Sequence, residues 1–209
     1  MSGTQGWTVV SETVSALPTQ SAPPAELPAS AAELATAAAE RLGWSGTVLP
    51  ELLVLGRRVS LLVELSPAAH AERICLGQEP VTDRATVSTW AFPEFAGRVP
   101  EPALRVVGAI AVARHWRTGL AHSVPFLRYC PSAVVLPTSA LLSHDYVGNC
   151  LPKARSAGLA VLNVEPDGAI DVDLAGRPPV RVGEPDGNHR WVSEIAYARL
   201  LELPEFSAA

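Results

Sequence analysis

The chain has 209 residues, carries 16 Lys plus Arg against 21 Asp plus Glu for a formal net charge of −5, and is 48% hydrophobic. That length and apolar fraction suffice for one domain with an ordinary core and exclude disorder throughout. The acidic balance argues against nucleic-acid binding by bulk charge and leaves a local arginine patch as the route to phosphate contact. Among the cationic residues only Lys153 is a lysine, so any mechanism that needs an ammonium group has a single candidate. The wealth of Ala, Arg and Pro fits high-GC coding of the actinobacterial kind. Cys75, Cys130 and Cys150 are widely spaced and odd in number, which reads as free thiols in a reducing compartment. Met1 to Gln5 shows no basic and then apolar leader, and the apolar stretch Ala103 to Ala113 contains Arg105 and is too short for a bilayer. A cytoplasmic protein without a membrane partner is the expectation.

In chain order, residues 1–29 form a segment of their own. Trp7 to Val10 fits a short strand, and the Pro/Ala/Ser-rich stretch Leu17 to Ala29 reads as a linker that buries too little apolar area to offset its ordering. A single α/β domain, 30–209, then opens with Ser30 and Glu33 at capping-box spacing, and a helix runs from Ala31 to Leu42 before Gly43. Thr47 to Leu55 and Val59 to Leu65 are apolar, partly β-branched runs flanking Gly56-Arg57-Arg58, which predicts an antiparallel hairpin. Thr86 to Phe92 alternates and predicts a third strand. Pro100 to Pro102 introduces a run from Ala103 to about Leu120 that reads as a buried helix turning basic at Arg114, His115 and Arg117. Ser132 to Pro137 is a covered strand, Leu151 to Ala157 a helix ended by Gly158, and Leu159 to Val164 a second covered strand, so the three form a parallel crossover. Glu-Pro-Asp-Gly occurs at 165–168 and 184–187 and reads both times as a hairpin turn. Ile170 to Leu174 is an edge strand and Trp191 to Leu201 a closing helix. The fold class is α/β, a central mixed β-sheet flanked by helices.

The hairpin suggests a site. Counted outward from its turn, Glu51 and Glu64 fall at similar distances, which would set two carboxylates nearly opposite each other. Such a pair repels itself unless it holds a divalent cation such as Mg²⁺, which can activate water and neutralise a phosphodiester. The alternative is that both acids face water or pair with Arg57, Arg58 or Arg73.

The α-β-β-β-α-β order, with Pro50-Glu51 on one core strand and Glu64-Leu65-Ser66 ending the next, resembles the PD-(D/E)XK nuclease-like superfamily and its restriction-endonuclease-like fold. The resemblance covers roughly residues 30–165. It implies that Glu51 and Glu64 are the metal-binding, catalytic acids, while Ser66 stands where the family has its lysine. Lys153, on the later crossover helix, is the one replacement available, and Glu33 could join the acids if it were not a capping residue. The expectation is therefore a nuclease-fold accessory module with a degenerate metal site, associated with DNA or RNA or with a protein partner. Arg114, Arg117 and Arg128 are its candidate phosphate contacts. The alternatives are an active Mg²⁺-dependent nuclease and a structural interaction domain.

Other patterns are weaker. Ser143-His144-Asp145 names the members of a hydrolase triad, but adjacent side chains cannot form the relay among themselves. Cys130, His144 and Cys150 lack the compact spacing of a zinc site. Neither common phosphate-loop nor dinucleotide fingerprint occurs.

Overall fold

The computed structural model describes residues 26–177 and 186–207. Trp7 to Val10, most of the proposed linker and Glu184-Pro185 lie outside them. Helix α1 (Ala31–Arg41) begins with the expected capping box: Ser30 Oγ accepts from the Glu33 amide, and the Glu33 carboxylate accepts from the Ser30 amide at 2.9 Å. Donation to that carboxylate from the Ser30 hydroxyl, and then from the Ser30 amide, holds the Glu33 carboxyl below its ordinary pKa.

The hairpin follows as β1 (Thr47–Val48), β2 (Leu52–Val54) and β3 (Arg57–Leu65). Its turn is two residues, with φ of 53° at Leu55 and 69° at Gly56, and Val54 faces Arg57. Positive φ at both central positions matches the twist of the flanking strands; it suits Gly56 and strains Leu55. After β3 the chain makes an excursion through α2 (Pro67–Cys75), α3 (Arg84–Thr89) and a 3₁₀ turn at Pro93–Phe95. It returns as β4 (Leu104–Val112), which leads to α4 (Trp116–Ser123), β5 (Ser132–Pro137), α5 (Leu151–Ala157), β6 (Ala160–Val164) and β7 (Ile170–Leu174). Helices α6 (Gly187–Leu201) and α7 (Pro204–Ser207) close the described chain.

Two expected elements change type. Thr86 to Phe92 is not a strand, because Asp83 accepts from the Thr86 amide at 2.7 Å and caps a helix there instead. The run from Ala103 to Leu120 is not one helix; its first part is β4, and α4 starts only at Trp116. Apolar content nearly all round is common to a buried helix and to a strand covered on both faces, and here Val106, Val107, Ile110 and Val112 decide for the strand. The expected α-β-β-β-α-β order is not continuous: the strand after β3 is β4 rather than 86–92, and α2 and α3 come between the two.

The seven strands form a mixed sheet in the order β1-β3-β4-β5-β6-β7, with β2 also paired to β3. β3 runs antiparallel to β4, β4-β5-β6 run parallel, and β7 runs antiparallel at the far edge. The predicted β5-α5-β6 crossover is present, and Gly158 closes α5 at φ 85°. Glu165-Pro-Asp-Gly168 turns β6 into β7, whereas Asp186 of the second copy caps α6 by accepting from the His189 amide.

Each face of the sheet is covered. On one, Leu34, Ala35 and Ala38 of α1 pack on Leu62, Ile110, Val135 and Leu162. On the other, Val192, Ala196 and Leu200 of α6 pack on Leu61, Val63 and Ala109, while Trp116, Leu120 and Ala154 of α4 and α5 cover Val134, Leu136 and Val161. Gly119 lets α4 approach β5 closely, since a Cβ there would lie 2.3 Å from Val134 Cγ2. No helix among the described residues is long and apolar enough to cross a membrane.

The excursion is tied to α6 by buried charge. Arg73 and Glu194 are each 1% exposed, and both terminal nitrogens of Arg73 donate to the carboxylate, at 2.8 and 2.9 Å. Glu194 also accepts from the Val81 amide and pairs with Arg190 at 3.0 Å, and Arg73 donates to the Glu79 carbonyl. Arg73 therefore serves Glu194, not Glu51 or Glu64. The guanidinium of Arg73 lies over the Tyr197 ring, whose hydroxyl bonds His70 Nδ1 at 2.8 Å.

Breaking this pair leaves a buried charge without its partner, so Glu194→Leu will lower unfolding free energy by about 3–5 kcal/mol in urea denaturation. The double change Arg73→Met/Glu194→Leu will recover part of that loss, because it removes the buried pair together while Arg190 still loses its acid. Gly119→Ala will cost about 1–3 kcal/mol in the same assay, because β-branched Val134 cannot swing clear of the added methyl.

Candidate functional site

The turn at Leu55-Gly56 settles where the two glutamates stand. Leu52 faces Val59, and beyond the interruption at Pro50 the pairing resumes with Val48 opposite Leu62 and Thr47 opposite Val63. Glu51 is therefore level with Ser60, and Glu64 lies four residues further along β3, an offset of roughly 13 Å. The near-opposition expected from counting fails because the turn lies at Leu55-Gly56 and not over Gly56-Arg57-Arg58, so its centre falls earlier than the counting assumed. Each acid has its own arginine: Glu51 pairs with Arg58 at 3.7 Å, and Glu64 pairs with Arg105, its cross-strand neighbour on β4. No group of three or more metal-compatible side chains forms among the described residues.

Lys153 stands apart from Glu64. It lies in the first turn of α5, and its Nζ sits 5.3 Å from the centre of the Trp116 ring. Trp116 follows the carboxyl end of β4, whereas Glu64 pairs with Arg105 at the amino end of that strand. The two residues are thus at opposite ends of the sheet. Glu33 remains with Ser30 as a cap, and Ser66 precedes α2 with Pro67 in its first turn.

The three candidate arginines separate as well. Arg114 and Arg117 lie where β4 gives way to α4; Arg114 is exposed with no ion-pair partner among the described residues, and Arg117 pairs with Asp145 while lying over Trp116. Arg128 follows α4 at the other end of that crossover, 3.4 Å from Asp186 and over the Tyr129 ring. Ser143 donates to the Ala140 carbonyl, so Ser143-His144-Asp145 forms no relay.

A polar cluster that the sequence did not announce ties the π-helical turn at Tyr146–Cys150 to the edge strand. The Tyr146 hydroxyl and the amide of buried Asn163 both donate to Asp173 on β7. Burial and the adjacent carboxylate push the Tyr146 hydroxyl above its ordinary pKa, so it stays a proton donor. The available signal was Asn163 itself, a polar residue inside an otherwise apolar run.

No family model matches the chain, and no curated protein or solved structure matches it significantly. The site is therefore argued from its residues alone. The cysteines have distinct chemistry: Cys75 is exposed, whereas burial pushes the Cys130 thiol up to about 12 and Cys150 up to about 11. A raised thiol pKa removes the reactive thiolate at neutral and mildly alkaline pH. At pH 8 a disulfide reagent will accordingly titrate Cys75 alone in the folded protein, and Cys130 and Cys150 only after denaturant is added. Equal rates for all three would contradict the burial described.

Proposed function

We propose that the protein is a nucleic-acid-associated accessory module that uses a nuclease-like αβββαβ fold without metal-dependent cleavage. The observation that carries this reading is the separation of the charged groups. Glu51 and Glu64 stand on different rungs of the hairpin with an arginine each, and the single lysine lies at the other end of the sheet from Glu64. Two carboxylates that do not share an ion leave no centre to lower the pKa of an attacking water. A Mg²⁺ ion held by Glu51 and Glu64 together does not fit this geometry, since each carboxylate stands on its own rung beside its own arginine. Association with DNA or RNA rests on the superfamily resemblance read from Pro50-Glu51 and Glu64-Leu65-Ser66 in the sequence. Exposed arginines where β4 ends supply phosphate contacts on an otherwise acidic chain.

Incubating the full chain with labelled duplex and single-stranded DNA and RNA, in Mg²⁺ or Mn²⁺, tests both halves of the proposal. The expected result is retarded nucleic acid of unchanged length, with binding that weakens as salt rises. Metal-dependent cleavage abolished by Glu64→Ala would restore the active-nuclease reading. No binding to any of these nucleic acids at low salt would leave only a protein-interaction role.

A further inference from the structure

We infer that the carboxyl end of β4 carries a duplex-backbone contact surface built from Arg57, Arg114 and Lys153, a reading that rests on the nucleic-acid association proposed above. The sheet register brings these residues to one rim. Ser60 faces Ile110 across β3 and β4, so the same register continued sets Arg58 level with Val112 and Arg57 level with Ala113, beside Arg114. On the next crossover Lys153 reaches over Trp116, two residues beyond Arg114. Two acids at this end are already engaged, Glu51 with Arg58 and Asp145 with Arg117, while Glu165 and Asp167 lie two strands away beyond β6. Arg57, Arg114 and Lys153 are exposed and have no ion-pair partner among the described residues, three cations available to phosphate on a chain of net −5.

The same rim specifies what kind of nucleic acid fits. Unpaired bases are held by stacking on exposed aromatic rings. The ring at this rim, Trp116, is 7% exposed and has Arg117 and Lys153 against it. It offers no free face to a base. What remains are guanidinium and ammonium donors, which bind phosphates without reading sequence. The exposed rings, Phe92 and Phe95, lie on the excursion before β4 and away from this rim. The surface therefore suits the regular phosphates of a double strand.

The test measures binding of the full chain to a short mixed-sequence DNA duplex by fluorescence anisotropy across a salt series. The wild type is compared with R57E/R114E/K153E and with R84E/R98E/R105E, which makes the same charge change on the excursion before β4 and at the amino end of that strand. The rim variant is expected to weaken binding roughly tenfold or more and to flatten the log-log salt slope by about three. The control variant is expected to stay within about twofold of wild type. The rim residues and the control residues are all exposed, so both variants should unfold at nearly the wild-type temperature; if a triple variant fails to fold, R57Q/R114Q and R84Q/R98Q make the same comparison. Binding lost in the control and retained in the rim variant overturns the surface and leaves the proposed function standing. Tighter binding to single-stranded than to duplex DNA overturns the duplex assignment. A wild type that binds no nucleic acid removes the function and the surface together.

Discussion

The buried pair between Arg73 and Glu194 is the interaction on which the peripheral structure depends. The segment from Ser66 to Ala103 adds only short helices, and its exposed Ile74, Leu76 and Phe92 bury little apolar area. Hydrophobic burial alone holds such a segment weakly. A carboxylate nearly sealed from water accepts both terminal nitrogens of Arg73, the Val81 amide and Arg190, and so fixes α2 and the following loop to α6. Burial lowers the pKa of Arg190 against the opposing pull of Glu194, as expected where two guanidiniums share one acid. The favourable geometry offsets a large desolvation cost, and it makes the packing of α6 on the sheet and the placement of the excursion one event.

Much of the fold was legible because local signals agreed with tertiary context. Ser30 with Glu33 marked the start of α1, Gly56 marked the hairpin, and Gly158 marked the end of α5 between two strands that are buried throughout. The failures came where one pattern served two structures. Ala103 to Ala113 is apolar nearly all round, which describes a covered central strand as well as a buried helix, and the prolines before it favoured the wrong choice. At Thr86 to Phe92, alternation suggested a strand, but Asp83 upstream capped a helix, so a single side-chain bond outweighed a short period-two pattern. The pairing of α2 with α6 joins residues 121 positions apart, and neither Arg73 nor Glu194 carries a local sign of its partner.

The site was less legible than the fold for a related reason. A hairpin predicts which strands pair, but the register depends on which residues make the turn. A small shift of the turn, from Gly56-Arg57-Arg58 to Leu55-Gly56, moved Glu51 relative to Glu64 by several residues. The lone lysine is plain in the sequence, yet its environment over Trp116 depends on how α4 and α5 lie beside each other. The arginines Arg114 and Arg128 bracket a crossover helix, so closeness in sequence concealed their separation across the sheet.

The two edges of the sheet have a consequence for how copies of the chain meet. On one side the outermost pairing is split between two-residue β1 and three-residue β2, with Pro50 between them and no amide hydrogen there. On the other side β7 alternates Asp171 and Asp173 with its inward residues, and Arg41 of α1 donates to the Ile170 carbonyl. Among the described residues neither border offers a long, uncharged ladder of unpaired backbone groups. Head-to-head strand addition between copies of the chain is disfavoured at both.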